Sequence, residues 1–255
     1  MYTLKKSLGQ HFLSDENIVR KIVEALTTKP FTQLLEVGPG GGALTRHLLT
    51  LPGIELKAVE LDKEKVEYLL KQFPSLNGKL MHLDFLKMNI PFTGPFTVVG
   101  NFPYNISSQI LFTMLEWRAS LETMVGMFQK EVAQRAAAPP GSKTYGVLSV
   151  LIQAFFRVDY LFDVPPGCFD PPPKVMSGVI RLTPRTTLPA MRSPADFTLL
   201  VKTAFGQRRK TLRNALKPLF DIKELQDPLF DKRAEQLSVD DFGALSFRML
   251  ARGNA

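Results

Sequence analysis

Residues 33–43 read QLLEVGPGGGA, an apolar run followed by four glycines and a proline. The run Gln33–Val37 predicts a buried strand, and helical spacing that starts near Ala43 predicts a helix behind the glycines. A glycine-rich turn between a strand and a helix lets a ligand approach bare backbone. Gly38, Gly40 and Ala43 match the G-x-G-x-x-G/A pattern of adenosine-type cofactor sites. This stretch therefore predicts an α/β fold with a cofactor at the turn.

Further apolar runs continue the same rhythm along the chain. They cover Ile54–Val59, Leu80–Leu83 and Phe96–Val99, with helical patterns between the first three strands. Strands that alternate with helices are typical of a mostly parallel sheet. Ser14 and Asp15 precede an amphipathic pattern and predict a capped helix before the first of these strands.

Two carboxylates follow the second and third of these strands. Glu60 lies about twenty residues beyond the glycine turn, where an acid holds ribose hydroxyls. Asp84 falls at the same sheet edge, and its carboxylate can accept a hydrogen bond from an adenine amino group. Nicotinamide and S-adenosylmethionine both satisfy this pattern, and a helix cap explains Asp84 equally well. The choice of cofactor stays open at this point.

The composition is that of an ordinary globular chain of 255 residues with 45% hydrophobic content. The longest mostly apolar stretch, Tyr145–Phe156, is too short and polar to span a bilayer, and no apolar leader follows the N-terminus. We therefore expect a cytoplasmic protein. One cysteine, Cys168, and three scattered histidines predict neither a disulfide nor a metal site.

The net charge of +8 is concentrated near the C-terminus. Residues 181–255 hold 14 Lys and Arg against 8 Asp and Glu. A segment with three prolines, Thr183–Pro194, resembles a linker, and helical spacing follows it. We expect a sheet domain over residues 1–185 and a small basic helical domain over residues 186–255. The basic excess fits either a solvated face or a polyanionic partner.

The segment Asn101-Phe102-Pro103-Tyr104 at the end of the fourth strand points to amine methylation. The exocyclic amine of adenine is a poor nucleophile, because its lone pair is delocalised into the ring. The Asn101 amide oxygen and the Phe102 carbonyl can accept its two N–H bonds and favour a pyramidal nitrogen. Pro103 fixes the φ that aims that carbonyl, and Tyr104 offers a face on which the base stacks. Hydride transfer has no use for this segment.

Five segments together resemble the KsgA/Dim-type rRNA adenine N6-dimethyltransferases. They are 8–13 (LGQHFL), 36–40 (EVGPG), 101–107 (NFPYNIS), 164–175 (VPPGCFDPPPKV) and 205–216 (FGQRRKTLRNAL). The resemblance covers nearly the whole chain. It implies a Rossmann-like S-adenosylmethionine-dependent methyltransferase domain with a small C-terminal helical domain, and S-adenosylmethionine as methyl donor. The implied reaction places two methyls on each of two adjacent adenines in the hairpin near the 3′ end of small-subunit (16S) rRNA, during ribosome biogenesis.

The resemblance also implies roles for individual residues. It places His11 and Leu13 over the cofactor, Gly38 under it, and Phe169 as a second aromatic wall of the target-base slot. Glu60 lies on the ribose, Asp84 at the adenine of the cofactor, and Asn101 at the reacting amine beside the cofactor. The chain departs from the commonest family pattern at His11, where asparagine is frequent, and at Phe102, where leucine is more usual.

Three other functions share parts of this pattern. They are a drug-resistance methyltransferase of large-subunit rRNA, a DNA adenine methyltransferase, and an RNA-binding assembly factor with dispensable catalysis. The segments 164–175 and 205–216 favour the small-subunit family. We expect a monomer that binds small-subunit rRNA, with no DNA or membrane partner, and we expect Arg208, Arg209, Lys210 and Arg213 to contact RNA phosphates.

Overall fold

A computed structural model of the chain describes residues 11–207 and 209–251. Within this part, Cα packing divides the chain into two compact units. The first contains residues 11–134 and 157–184, and the second contains residues 135–156 and 185–251 without Arg208. Residues 135–156, which the predicted boundary at 185 leaves in the first domain, pack in the second unit. The predicted domain boundary between residues 185 and 186 stays a prediction.

The strands form one seven-stranded sheet and one two-stranded sheet. In chain order they are β1 (Phe12–Leu13), β2 (Gln33–Val37), β3 (Glu55–Glu60), β4 (Leu80–His82), β5 (Phe96–Asn101), β6 (Leu121–Gln129), β7 (Phe156–Val164), β8 (Phe169–Asp170) and β9 (Ser177–Pro184). The large sheet has the order β4-β3-β2-β5-β6-β9-β7, and β1 pairs with β8. The four predicted strands are confirmed as β2 to β5. The ends of β2 are as predicted, and the ends of the other three differ by at most two residues.

The helices lie between and after these strands. They are α1 (Glu16–Leu26), α2 (Thr45–Leu48), α3 (Lys63–Gln72), α4 (Ser107–Glu116), α5 (Lys130–Ala137), α6 (Val147–Phe155), α7 (Pro194–Gly206), α8 (Leu212–Ala215) and α9 (Val239–Ser246). In α1 the predicted cap is present, because Asp15 Oδ1 accepts hydrogen bonds from the backbone N–H groups of Asn17 and Ile18 at 2.8 and 3.2 Å. Its buried face packs into the core of the first unit.

The parallel part of the sheet decides where a ligand can bind. Strands β4, β3, β2, β5 and β6 run parallel to their neighbours, whereas β9 is antiparallel to β6. The chain leaves β2 toward β3 on one side and later returns to β5 on the other. In open α/β sheets such a reversal of strand order opens a crevice at the carboxyl ends of the two central strands. The glycine turn follows β2, and Asn101 ends β5, so both lie at this crevice.

The second unit is helical and has an aromatic core. Tyr145 and Phe205 meet edge to face at 6.2 Å between ring centroids, and Phe205 lies 5.9 Å from Phe242. Helix α7 extends the predicted helical segment to Gly206. Helix α8 ends at Ala215, and the chain continues as a turn over residues 216–219.

In the described part of the chain, no helix is both long and apolar enough to cross a membrane.

Candidate active site

A cavity of about 450 Å³ opens at the carboxyl ends of β2, β3 and β5. Its walls contain every predicted site residue except Phe169. These are His11, Leu13, Gly38, Glu60, Asp84, Asn101, Phe102, Pro103 and Tyr104. Gly38, Glu60, Asp84 and the segment 101–104 share this cavity because the parallel strands deliver their ends to the same edge. His11 and Leu13 reach it on the segment that contains β1, which pairs with β8.

The glycine turn forms the floor between β2 and α2. Gly38 and Gly40 have φ of +67° and +57°, in the left-handed region that side chains disfavour. Apart from its chain neighbours, no described residue has an atom within 4 Å of the position that a Cβ on Gly38 would occupy. A ligand can therefore contact the Gly38 backbone without displacing protein atoms.

Glu60 ends β3 with its carboxylate held by backbone donors. Oε1 accepts the N–H groups of Leu61 and Asp62, both at 3.0 Å. Oε2 accepts the N–H of Gly40 at the longer distance of 3.2 Å. The side chain is 7% exposed, so the carboxylate is fixed in one orientation. A carboxylate has about four acceptor directions, which leaves Oε2 as the oxygen with capacity for a ligand hydroxyl.

Asp84 caps a turn with one of its two carboxylate oxygens. Oδ1 accepts the backbone N–H of Leu86 at 3.0 Å and caps a short 3₁₀ turn. Oδ2 lies 3.8 Å from Lys87 Nζ, and the side chain is 32% exposed at the cavity. The cap therefore uses one oxygen and leaves the second able to face a ligand.

Glu36 is a buried carboxyl in the cavity wall whose chemistry the sequence did not reveal. It is 1% exposed and its Oε2 accepts the hydroxyl of Thr45 at 2.8 Å. Burial raises the pKa of Glu36 to about 8, and the nearby charge of Glu60 acts in the same direction. Burial therefore favours the protonated, neutral form of Glu36 in the cavity wall.

Asn101 is oriented by the segment that contains β1. Its Nδ2 donates to the backbone carbonyl of His11 at 3.0 Å. Only the N–H side of an amide can face a carbonyl oxygen, so this contact fixes which way the amide points. Oδ1 is then the atom left to accept a hydrogen bond. The His11 ring is held in turn, because Nδ1 lies 2.9 Å from the carbonyl oxygen of Pro171.

Phe12 places the same segment against the glycine turn. A Cβ on Gly40 would stand 3.0 Å from a ring carbon of Phe12, and Lys65 Nζ lies 4.8 Å from the ring centroid. Strand β1 also pairs antiparallel with β8, with Leu13 opposite Phe169. The segment therefore connects the glycine turn, the Asn101 amide and β8. Residues 8–10 of the same motif lie outside the described residues.

Tyr104 presents its ring in the cavity wall and is held at its hydroxyl. The Tyr104 oxygen lies 2.5 Å from Ser177 Oγ, and Ser177 is fully buried. The His11 ring lies 5.8 Å from the Tyr104 ring, tilted by 31°. The sequence singled out neither Ser177 nor this pair of rings, because both depend on contacts between distant segments.

Phe169 is not brought to the cavity. It is 4% exposed and belongs to the hydrophobic core, and its neighbour Asp170 lines the cavity instead. The ring that the structure places beside Tyr104 is that of His11. The role of Phe169 as a second wall of a base slot stays a prediction.

Two exposed leucines in the cavity wall were not among the predicted site residues. Leu61 is 52% exposed and Leu83 is 49% exposed, and each adjoins one of the carboxylates, Glu60 and Asp84. Such exposure of large apolar side chains inside a cavity is typical of ligand contact. In the sequence, Leu61 lies just beyond the predicted strand Ile54–Val59, and Leu83 is the last residue of the predicted strand Leu80–Leu83.

The basic segment of the second unit divides into two kinds of residue. Arg209 and Lys210 are exposed. Arg213 is bound within the chain: its guanidinium contacts Asp231 Oδ1, at 2.6 Å from Nη2, and donates to the carbonyl of Leu225. The expectation that Arg213 serves an RNA phosphate is therefore replaced by a structural role. Arg208 lies outside the described residues.

Comparisons with known proteins agree with this geometry. The family model described as ribosomal RNA adenine dimethylase matches residues 1–249. The ribosomal RNA small subunit methyltransferase A of Cytophaga hutchinsonii is 51% identical over 244 residues, which cover 93% of this chain and 94% of that protein. The protein of the same name from Flavobacterium johnsoniae is 49% identical, and the match covers 98% and 97% of the two chains.

Solved structures show the same fold. A dimethyladenosine transferase from Plasmodium falciparum is 26% identical with a TM-score of 0.75, covering 91% of this chain and 94% of the other. The 23S rRNA methyltransferase ErmE has a TM-score of 0.74 at 24% identity, covering 93% and 99%. At that identity the likeness shows the fold alone, so the fold does not separate small-subunit from large-subunit targets.

These findings confirm the predicted Rossmann-like methyltransferase fold, the predicted enzyme class and S-adenosylmethionine as the cofactor. The match over residues 1–249 and the relatives at about half identity lead to one assignment. The chain belongs to the ribosomal RNA adenine dimethylase family.

Proposed function

We propose that this enzyme dimethylates N6 of two adjacent adenines in the hairpin near the 3′ end of small-subunit (16S) rRNA. The relatives at 51% and 49% identity carry names that specify the small subunit. The family description supplies the adenine and the dimethylation. The position of the two adenines rests on the sequence resemblance.

The cavity fits an adenosine-containing methyl donor. The bare backbone at Gly38 accommodates a close approach. We assign the ribose hydroxyls to Glu60 Oε2 and the adenine amino group to Asp84 Oδ2, the oxygens that their contacts with backbone N–H groups leave with spare capacity. Leu61 and Leu83 supply apolar surface for the adenine faces. S-adenosylmethionine, when bound, supplies a methyl group on a positively charged sulfur.

The chain's own contribution to the reaction is to hold the target amine. Asn101 Oδ1 accepts one N–H of the exocyclic amine, and the backbone carbonyl of Phe102 accepts the other. Both acceptors draw the hydrogens to one side, so that the nitrogen lone pair points toward the donor. Tyr104 stacks on the base, and its bond to Ser177 keeps the ring in place.

One observation carries this proposal: the Asn101 amide is oriented by the His11 carbonyl, in the same cavity wall as the glycine turn. This contact leaves Oδ1 as the amide atom that can accept a hydrogen bond. Because Asn101 and the glycine turn line the same cavity, the arrangement supports placing the amine acceptor beside the methyl donor, as a methyl transfer requires.

The test is to incubate the protein with labelled S-adenosylmethionine and small subunits that lack the modification, and then to map the labelled nucleotides. We expect two dimethylated adenines in the 3′-terminal hairpin, and no label with the Asn101→Ala variant in the same time. Label confined to large-subunit RNA or to duplex DNA in parallel incubations would contradict the proposal.

A further inference from the structure

Phe102 is the one buried residue of the segment Asn101-Phe102-Pro103-Tyr104. The side chain is 1% exposed, although the residue contributes to the cavity wall. It is also the position where this chain departs from the leucine that is more usual in the family. The packing around the ring explains how the larger residue is accommodated.

The ring lies over two glycines that face each other across β5 and β6. Gly100 and Gly126 are register partners in the sheet. A Cβ built on Gly126 would stand 2.4 Å from one ring carbon of Phe102, and a Cβ on Gly100 would stand 2.8 Å from another. Both distances are shorter than real carbon contacts, so the ring occupies space that exists because neither position has a side chain. The same Cβ on Gly126 would also stand 2.8 Å from Met124 Sδ and from Phe128 Cε2, and that on Gly100 would stand 2.7 Å from the Val37 carbonyl oxygen.

The backbone and the ring of Phe102 both contact strand β6. The ring stacks on Phe128 with centroids 4.8 Å apart and an interplanar angle of 28°. The Phe102 N–H donates to the carbonyl of Met127 at 3.0 Å. Side chain and main chain of Phe102 are thus both anchored to β6, directly between Asn101 and the turn at Pro103.

We infer that Phe102 is a positioning residue for the methylation, and that Phe102 and Gly126 form a matched pair. The ring in the two-glycine trough sets the place of the Phe102 carbonyl and of the Asn101 amide relative to the target amine. The inference deepens the proposed function and rests on it, because the positioned groups are its two amine acceptors. A displacement of such groups by about 1 Å can cost about a hundredfold in rate.

The first test compares the same substitution at the start of β5 and at the residue just after its end. Phe102→Leu removes the ring atoms that fill the trough, whereas Phe96→Leu truncates an equally buried ring at the start of the strand, which packs on Trp117. We expect Phe102→Leu to lower single-turnover methylation at saturating donor and RNA at least tenfold, with donor affinity within twofold of the parent. Phe96→Leu lowers thermal stability and leaves the rate of the folded protein within twofold.

The second test asks whether a side chain at 126 can replace the missing ring atoms. Gly126→Ala lowers the methylation rate in the parent, where its methyl group collides with Phe102 and, less closely, with Phe128 and the end of Met124. Phe102→Leu removes the first collision and leaves room beside Phe128, which stacks on the Phe102 ring. In the Phe102→Leu background the same change is expected to raise the rate at least threefold. If Gly126→Ala has the same effect in both backgrounds, or if the double variant fails to fold while Phe102→Leu folds, the matched pair is refuted.

A parallel measurement on Asn101→Ala separates failure of this inference from failure of the proposed function. If Asn101→Ala is inactive and Phe102→Leu methylates as fast as Phe96→Leu, the positioning role alone is wrong. If Asn101→Ala also keeps the parent rate, the proposed function itself is contradicted.

Discussion

Replacing Glu60 with glutamine tests the donor site most simply, because the change keeps the shape and removes one acceptor oxygen. In the structure one oxygen serves the N–H groups of Leu61 and Asp62, and the other serves Gly40. A glutamine can keep its oxygen toward the first pair. Its NH₂ group then faces the N–H of Gly40 and cannot accept from it or from a ribose hydroxyl.

The expected loss follows from that geometry. A hydrogen bond to a charged group contributes about 1.5–3 kcal/mol. At about 1.4 kcal/mol for each factor of ten, Glu60→Gln raises the Kd for S-adenosylmethionine roughly 10- to 150-fold. The assay is titration calorimetry without RNA, with thermal unfolding of each variant to establish that it is folded.

A matched control makes this result specific. Glu67→Gln makes the same chemical change in α3 at a side chain that is 67% exposed and only 3.8 Å from Lys63 Nζ, and it should leave the Kd unchanged. Equal affinity of Glu60→Gln and Glu67→Gln for the donor would refute the placement of Glu60 on the ribose.

Tyr104→Phe keeps the stacking face but loses the hydroxyl contact that holds the ring, so we expect a methylation rate several-fold below the parent. Tyr104→Ala also loses about 1–3 kcal/mol of base stacking and should be slower still. Equal single-turnover rates for the parent and both variants would contradict this. Changing Arg209 and Lys210 to glutamine should lower the slope of log affinity for RNA against log salt by roughly 1.4–1.8. Arg213→Gln should leave that slope unchanged and reduce stability, since its partner is inside the chain. The folded protein keeps the Glu36 proton up to a pKa of about 8, against an ordinary value of 4.5. Its stabilising contribution is therefore present at low pH and lost as pH rises between these values, and Glu36→Gln should flatten that fall in urea unfolding measurements.

The sequence predicted the central sheet well, because its signals are local. Buried parallel strands read as continuous apolar runs, and the glycine turn marks the end of β2 directly. The positions of Glu60, Asp84 and Asn101 followed from one rule, that parallel strands deliver their carboxyl ends to the same edge. The cap at Asp15 was equally readable, since it depends on residues within three positions.

Contacts between distant segments could not be read in the same way. The pairing of β1 with β8 places Leu13 opposite a buried Phe169 and joins segments that are far apart in the chain. The ion pair of Arg213 with Asp231 joins residues eighteen positions apart through an irregular turn. The trough under Phe102 requires Gly126 from a neighbouring strand, and no spacing in the sequence reveals it.

The oriented amide of Asn101 is the centre of this account, and single-turnover methylation of unmodified small subunits at saturating donor tests it most directly. Removing one preorganised hydrogen-bonding group at a reacting centre costs on the order of 100- to 1000-fold in rate. We predict a loss of that size for Asn101→Ala, in a variant that is folded and still binds S-adenosylmethionine. A rate within twofold of the parent would contradict the assignment of Asn101 as the amine acceptor.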